Sequence, residues 1–122
     1  MEHQGFLLQL FKIYNHPDYF DEEKIKTQLV TAFKRAHDPN GFKRLLLAMI
    51  CTKPRTEQLK NLDVPCLIIH GDYDPVFSVE HGKQLAESIP GSHLEVIKKM
   101  GHGLPDYFAY KIVNLIVSFV KQ

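Results

Sequence analysis

The chain has no tryptophan, two cysteines in 122 residues, and no serine before Ser78. Cys51 and Cys66 are not in CxxC spacing, so free thiols in a reducing compartment are expected rather than a disulfide framework. An excess of charge of one sign is also missing. Fifteen basic residues stand against 14 acidic ones, for a formal net charge of +1. With no basic block, the sequence offers no electrostatic case for nucleic acid or for an anionic membrane surface. Long apolar runs are absent as well. Leu45–Cys51 and Cys66–Ile69 fall far short of the ~20 residues that span a bilayer. Met1–Gly5 has no basic segment of the kind that opens a signal peptide. A cytoplasmic protein is the expectation.

What remains is an ordinary globular composition, 44% hydrophobic and 24% charged. A chain this long fits one domain and buries about two thirds of its unfolded surface. The first half reads as helical. Phe6, Leu7, Leu10, Phe11, Ile13 and Tyr14 follow helical spacing, and Asn15-His16-Pro17 stops that helix, because a residue before proline avoids the α region. Asp21-Glu22-Glu23 opens a second helix with acidic residues at its positive end, and its core face is Ile25, Leu29, Ala32, Phe33 and Ala36. A turn at His37-Asp38-Pro39-Asn40-Gly41 precedes a third helix with a stripe of Phe42, Leu45, Leu46, Met49 and Ile50. Residues 52–63 read as a short amphipathic helix and linker.

At Val64 the pattern changes. Cys66-Leu67-Ile68-Ile69 is continuously apolar, as expected of a parallel strand buried on both faces. The turn Gly71–Phe77 leads to Ser78, an expected N-cap, and to a helix with Val79, Leu85, Ala86 and Ile89 inward, stopped by Pro90-Gly91. His93–Ile97 reads as a second strand and Pro105–Lys121 as a final helix. The second half is therefore β-α-β-α, the signature of a parallel α/β sheet.

In such sheets reactive groups gather beyond the carboxyl ends of the strands. Asp72 and Asp74 follow the first strand and His102 follows the second, so adjacent strands would bring these loops together. A carboxylate bonded to one imidazole nitrogen fixes the tautomer and stabilises the imidazolium formed in proton transfer. Asp74 and His102 are therefore the candidate acid and base. Asp72 reads as a turn cap, and His70 as a structural residue bonding the loop. Cys66 reads as an inert core thiol and Cys51 as core. His3, His16, His37, His81 and His93 lack the short spacing of a metal site, so neither metal nor cofactor is expected.

The segments Val64-Pro65-Cys66-Leu67-Ile68-Ile69-His70-Gly71-Asp72-Tyr73-Asp74, His81-Gly82-Lys83-Gln84-Leu85-Ala86, Ile89-Pro90-Gly91 and Met100-Gly101-His102-Gly103-Leu104-Pro105 together resemble the C-terminal portion of the α/β-hydrolase superfamily. They are similar to esterases of the aclacinomycin methylesterase type. The resemblance implies a partial α/β-hydrolase fold: a helical, cap-like segment and linker over 1–60, then a β-α-β-α core portion with two parallel strands over 61–122. It implies that Asp74 is the triad acid and His102 the triad base, acting on a small-molecule ester.

In that superfamily the nucleophile precedes the acid, on a Gly-x-Ser-x-Gly elbow. No such elbow occurs here before Asp74, and neither cysteine sits in a glycine-flanked strand-to-helix turn. Three readings follow: the C-terminal part of an esterase-like hydrolase that is inactive alone, one half of a two-chain hydrolase whose N-terminal partner supplies the nucleophile, or a non-catalytic binding module. A strand with a free edge invites pairing. The sequence thus predicts a homodimer through that edge, cap helices covering it, or an N-terminal hydrolase partner chain.

Overall fold

The computed structural model describes residues 2–36, 38 and 40–121. His37 and Pro39, two members of the turn expected at 37–41, lie outside them. Among the described residues, six α-helices and two strands run in the order α1 (Glu2–Tyr14), a 3-10 turn (Pro17–Tyr19), α2 (Glu22–Arg35), α3 (Gly41–Cys51), α4 (Thr56–Leu59), β1 (Leu67–Gly71), α5 (Val79–Ser88), β2 (His93–Ile97) and α6 (Asp106–Val120).

The local chemistry of the boundaries is legible. α1 stops at Tyr14, three residues before Pro17, and α2 starts where the Asp21 carboxylate accepts the Lys24 N–H at 3.0 Å. An N-cap of this kind contributes about 1 kcal/mol. Lys12 of α1 reaches Glu22 of α2 at 2.6 Å; this ammonium, then Lys26, holds the Glu22 carboxyl below its ordinary range. α5 ends at Ser88 with Ile89 as its C-cap, and the turn beyond it passes through Gly91, whose φ of 67° lies in the left-handed region that glycine enters without penalty. Ser78 occupies the N-cap position of α5 but its side chain makes no cap bond there. Its Oγ lies instead 3.3 Å from His81 Nδ1.

β1 and β2 pair in parallel, in a register that runs from Leu67 opposite His93 to Gly71 opposite Ile97. This two-stranded sheet is the α/β element of the fold. α5 packs on both strands, and α6 packs on β1. The core on the α6 side is Ile97, Met100 and Phe108, surrounded by Tyr19, Ile69, Ile112 and Leu115. Ile68 and Ile89 are buried as well.

Several expectations of burial are not met. The strand begins at Leu67 rather than Cys66, and Cys66 is half-buried ahead of it, its thiol directed to the Val64 carbonyl at 3.3 Å. In α2, Leu29 is buried and Ile25 and Phe33 are half-buried, but Ala32 is exposed and Ala36 is the exposed C-cap. Leu85 of α5 is also marginally exposed. The largest departure is α3: Phe42, Leu45, Leu46, Met49 and Ile50 are all exposed, as is Cys51 at its end. A helical apolar stripe states which face seeks cover, and nothing among the described residues covers this one. The same holds for the outer side of α6, where Val113, Ile116 and Val120 are exposed. No helix of the described residues is long and apolar enough to cross a membrane.

Candidate functional site

The loops after the two strands are stitched together by backbone bonds. Asp72 N–H donates to the Ile97 carbonyl at 3.2 Å, and Tyr73 N–H donates to the Met100 carbonyl at 3.1 Å. Gly71 permits this approach, because a Cβ there would run into the Met100 carbonyl oxygen. The Asp72 carboxylate accepts the Lys99 N–H, and Lys99 holds a φ of 63°. A non-glycine residue in that region carries a steric cost, and the carboxylate holds it there. Asp72 therefore braces the junction between the two loops, while Asp74 faces elsewhere.

The Asp74 side chain is 7% exposed. Its Oδ1 accepts the Val76 and Phe77 N–H groups at 2.8 and 2.9 Å. Its Oδ2 lies 2.9 Å from His102 Nδ1. Burial pushes this carboxyl upward, but the Phe77 N–H, the imidazole and the Val76 N–H outweigh it and hold the group below the ordinary carboxylate range. A carboxylate with three donors is an acceptor only, so His102 presents Nδ1–H to it. In the neutral ring that leaves Nε2 as the basic nitrogen. Among the described residues no hydrogen bond engages Nε2, and the His102 side chain is 39% exposed. An imidazole oriented in this way is equipped to accept and return a proton at Nε2.

The histidine loop has a second support that the sequence did not reveal. His102 N–H donates to the carbonyl of Tyr14, the last residue of α1, at 2.7 Å. The Tyr14 ring stands edge-on to the imidazole at 5.5 Å, and Phe77 lies at 5.7 Å on a tilt. Asn15, only 5% exposed, donates from its side chain to the Phe11 carbonyl at 2.8 Å. It packs against Gly103, where a Cβ would collide with its amide. Read from sequence, Asn15 is only the first residue of the helix stop Asn15-His16-Pro17. That reading hides a buried amide on which the histidine loop rests.

Residues 16–25 extend this docking. Tyr19 stacks on Tyr107 at 4.1 Å, the His16 ring meets the Tyr73 ring at 4.5 Å, and Lys99 pairs with Asp18 at 2.8 Å. Lys24 pairs with Asp106. Between α1, α2 and the segment Gly103–Tyr107 lies a cleft of about 350 Å³ whose apolar wall includes Phe11, Phe20, Ile25 and Leu104. Neither Asp74 nor His102 lines it, but Gly103 brings it next to the histidine. Of the side chains that could serve as nucleophile near the pair, Ser78 is engaged with His81 rather than His102. Among the described residues no cluster of three histidine, cysteine, aspartate or glutamate side chains could hold a metal ion.

No family model matches the chain. Over 50 residues it is 40% identical to the non-heme chloroperoxidase CPO-A1 of Kitasatospora aureofaciens, a match covering 40% of this chain and 18% of the relative. Over 68 residues it is 36% identical to a bifunctional esterase/perhydrolase of Acinetobacter calcoaceticus, covering 55% of this chain and 25% of the relative. Among solved structures, the bromoperoxidase from Bacillus anthracis superimposes with a TM-score of 0.82 at 26% identity, over 98% of this chain and 44% of that one. The chain thus spans a quarter or less of the curated relatives' length, and under half of the bromoperoxidase, while nearly all of it is accounted for by the latter.

Proposed function

We propose that this chain, which folds as the C-terminal portion of an α/β-hydrolase, supplies the acid and the base of a carboxylic-ester hydrolase through Asp74 and His102. The observation that carries the reading is the 2.9 Å contact between Asp74 Oδ2 and His102 Nδ1 at the carboxyl ends of two paired parallel strands. In this reading His102 Nε2 takes the proton from a nucleophile as it attacks the ester carbonyl, and returns it to the leaving alcohol. Asp74 stabilises the imidazolium between those two steps.

The nucleophile and the oxyanion donors come from outside these 122 residues, either from a longer polypeptide or from a second chain. General base catalysis alone contributes only ~10²–10⁴-fold, so these residues by themselves turn over no ester at a useful rate. Residues 1–60 act as a cap-like segment over the core portion 61–122. The substrate class is a small carboxylic ester, supported by the resemblance to esterases of the aclacinomycin methylesterase type and by the esterase/perhydrolase among the relatives.

The partner in this reading is the part of an α/β-hydrolase fold that the sequence does not span. Two observations support it. β1 has a strand neighbour on one side only among the described residues, and two strands alone are marginal in water. The apolar faces of α3 and the outer side of α6 stand exposed, as surfaces that expect cover. A second copy of the chain pairing at the same edge is the competing occupant.

The test is turnover of p-nitrophenyl acetate by the chain alone and after mixing with an N-terminal hydrolase portion that carries a Gly-x-Ser-x-Gly elbow, each repeated with His102→Ala. Turnover that appears only in the mixture and is lost in the variant is the expected result. Turnover by the chain alone that His102→Ala abolishes would show that it holds its own nucleophile. Turnover in the mixture that survives His102→Ala would remove His102 from the mechanism. Sedimentation at micromolar concentration separates the occupants, a stable homodimer of the unmixed chain favouring the second copy.

A further inference from the structure

The turn that carries Asp74 is held from both sides. Phe77 is its hub: the Phe77 N–H donates to Asp74 Oδ1 at 2.9 Å, and its carbonyl accepts a hydrogen bond from His70 Nε2 at 2.9 Å. The Phe77 ring also touches His102 at 5.7 Å and His81 at 5.6 Å between centroids.

His70 is the penultimate residue of β1, and its side chain is 14% exposed. A carbonyl is an acceptor only, so the bond to Phe77 requires hydrogen on Nε2. His70 Nε2 is 4.0 Å from Asp74 Oδ2, too far for a hydrogen bond. His70 therefore reaches the carboxylate through Phe77 rather than directly. The titratable groups facing Asp74 are His102 at 2.9 Å and His70 at 4.0 Å. On its other side the His70 ring lies against Gly82 of α5, where a Cβ would come within 3.0 Å of Nδ1. A rigid strand end, a seat on α5 and a carbonyl target leave this ring one orientation.

We propose that His70 is a positioning residue of the Asp74–His102 pair: its Nε2–H anchors the Phe77 carbonyl and thereby aims the Val76 and Phe77 N–H groups at Asp74. The proposal rests on reading that pair as the acid and base. His70 does not touch the reacting atoms; it sets the geometry of the donor set that keeps Asp74 ionised and facing the imidazole.

The experiment is NMR on the full chain, comparing the unsubstituted protein with His70→Leu and His70→Gln. The signals are the Asp74 carboxyl carbon through an acid titration, the His102 Nδ1–H proton and the ring nitrogens of His70. In His70→Leu the Asp74 titration moves up in pH and the His102 Nδ1–H exchanges faster. In His70→Gln, whose side-chain amide reaches the place of Nε2–H, both signals return towards those of the unsubstituted protein. An Asp74 titration unchanged by His70→Leu would overturn the proposal. So would a His70 ring that carries its hydrogen on Nδ1 in the unsubstituted protein, and this second measurement decides the matter even if His70→Leu does not fold. A missing His102 Nδ1–H in the unsubstituted protein would count against the functional reading instead, and the His70 tautomer would still decide the anchor.

Discussion

The backbone N–H of His102 donates to the carbonyl of Tyr14 at 2.7 Å, across 88 positions of sequence. The last four carbonyls of a helix have no partner inside it, and the histidine loop fills one of those vacancies at the end of α1. Gly101 makes room for it, since a Cβ there would meet the Tyr14 carbonyl oxygen. Gly101→Ala forces the two backbones apart and is expected to cost about 1–3 kcal/mol, as overpacking does. Urea denaturation measures the loss, and the amide shift of His102 shows whether the bond to Tyr14 is the contact that gives way.

Asp74→Asn keeps the shape of the site and removes its charge. Asp74 titrates lower in the folded chain than in the unfolded one, so the native state binds fewer protons across that interval. Its contribution is complete above the ordinary carboxylate pKa of about 3.9 and is lost as pH falls through the lower, folded value. The variant is expected to lose about 1.5–3 kcal/mol near neutrality, the range for hydrogen bonds to a charged group. The difference from the unsubstituted protein should shrink on acidification. A difference in stability that is flat with pH between 2 and 6 would mean that the carboxylate is not held as described.

Asp72 is a neighbour with another task. Asp72→Ala releases the Lys99 N–H and with it the left-handed turn at Lys99. About 1 kcal/mol of stability is expected to go, the usual worth of one such hydrogen bond, and the His102 Nδ1–H resonance should stay in place. A resonance that disappears in Asp72→Ala would assign the two aspartates to one network.

Phe108 belongs to a core with few members, beside Ile97 and Met100. Phe108→Ala is expected to cost about 3–5 kcal/mol. Domains hold only about 5–15 kcal/mol in total, so a large fall in Tm should follow, with loss of cooperativity visible by calorimetry. A shift of a few degrees would show that stability resides elsewhere, for example in the α1–α2 pair.

The strands, their parallel pairing and the approach of Asp74 to His102 were all legible in the sequence, because each follows from short-range patterns. An apolar run, a polar turn and a helix place an aspartate and a histidine at the same end of a sheet. Burial was legible only in part. The stripe on α3 is real, but whether anything covers Phe42 or Ile50 depends on surfaces that local periodicity does not encode. Cys51, at the end of that stripe, is exposed for the same reason although its pattern places it in a core. The roles of Tyr14 and Asn15 do not show in local pattern, because contacts with Gly101, His102 and Gly103, far away in sequence, make them. The glycine pair around the histidine was the available signal. Read as turn residues, Gly101 and Gly103 are also the marks of another backbone pressed close.

The helix stop before Pro17 has a consequence for how this chain tolerates change. Which carbonyl is left vacant at the end of α1 is set by where that helix stops, and a helix turns about 100° and rises 1.5 Å for each residue. One residue inserted between Phe11 and Pro17 would swing the vacant carbonyl away from His102 and carry the Asn15 amide off Gly103. Surface connections normally absorb such insertions. Here the segment works as a gauge for the position of the imidazole, and its length is as much a part of the site as its side chains.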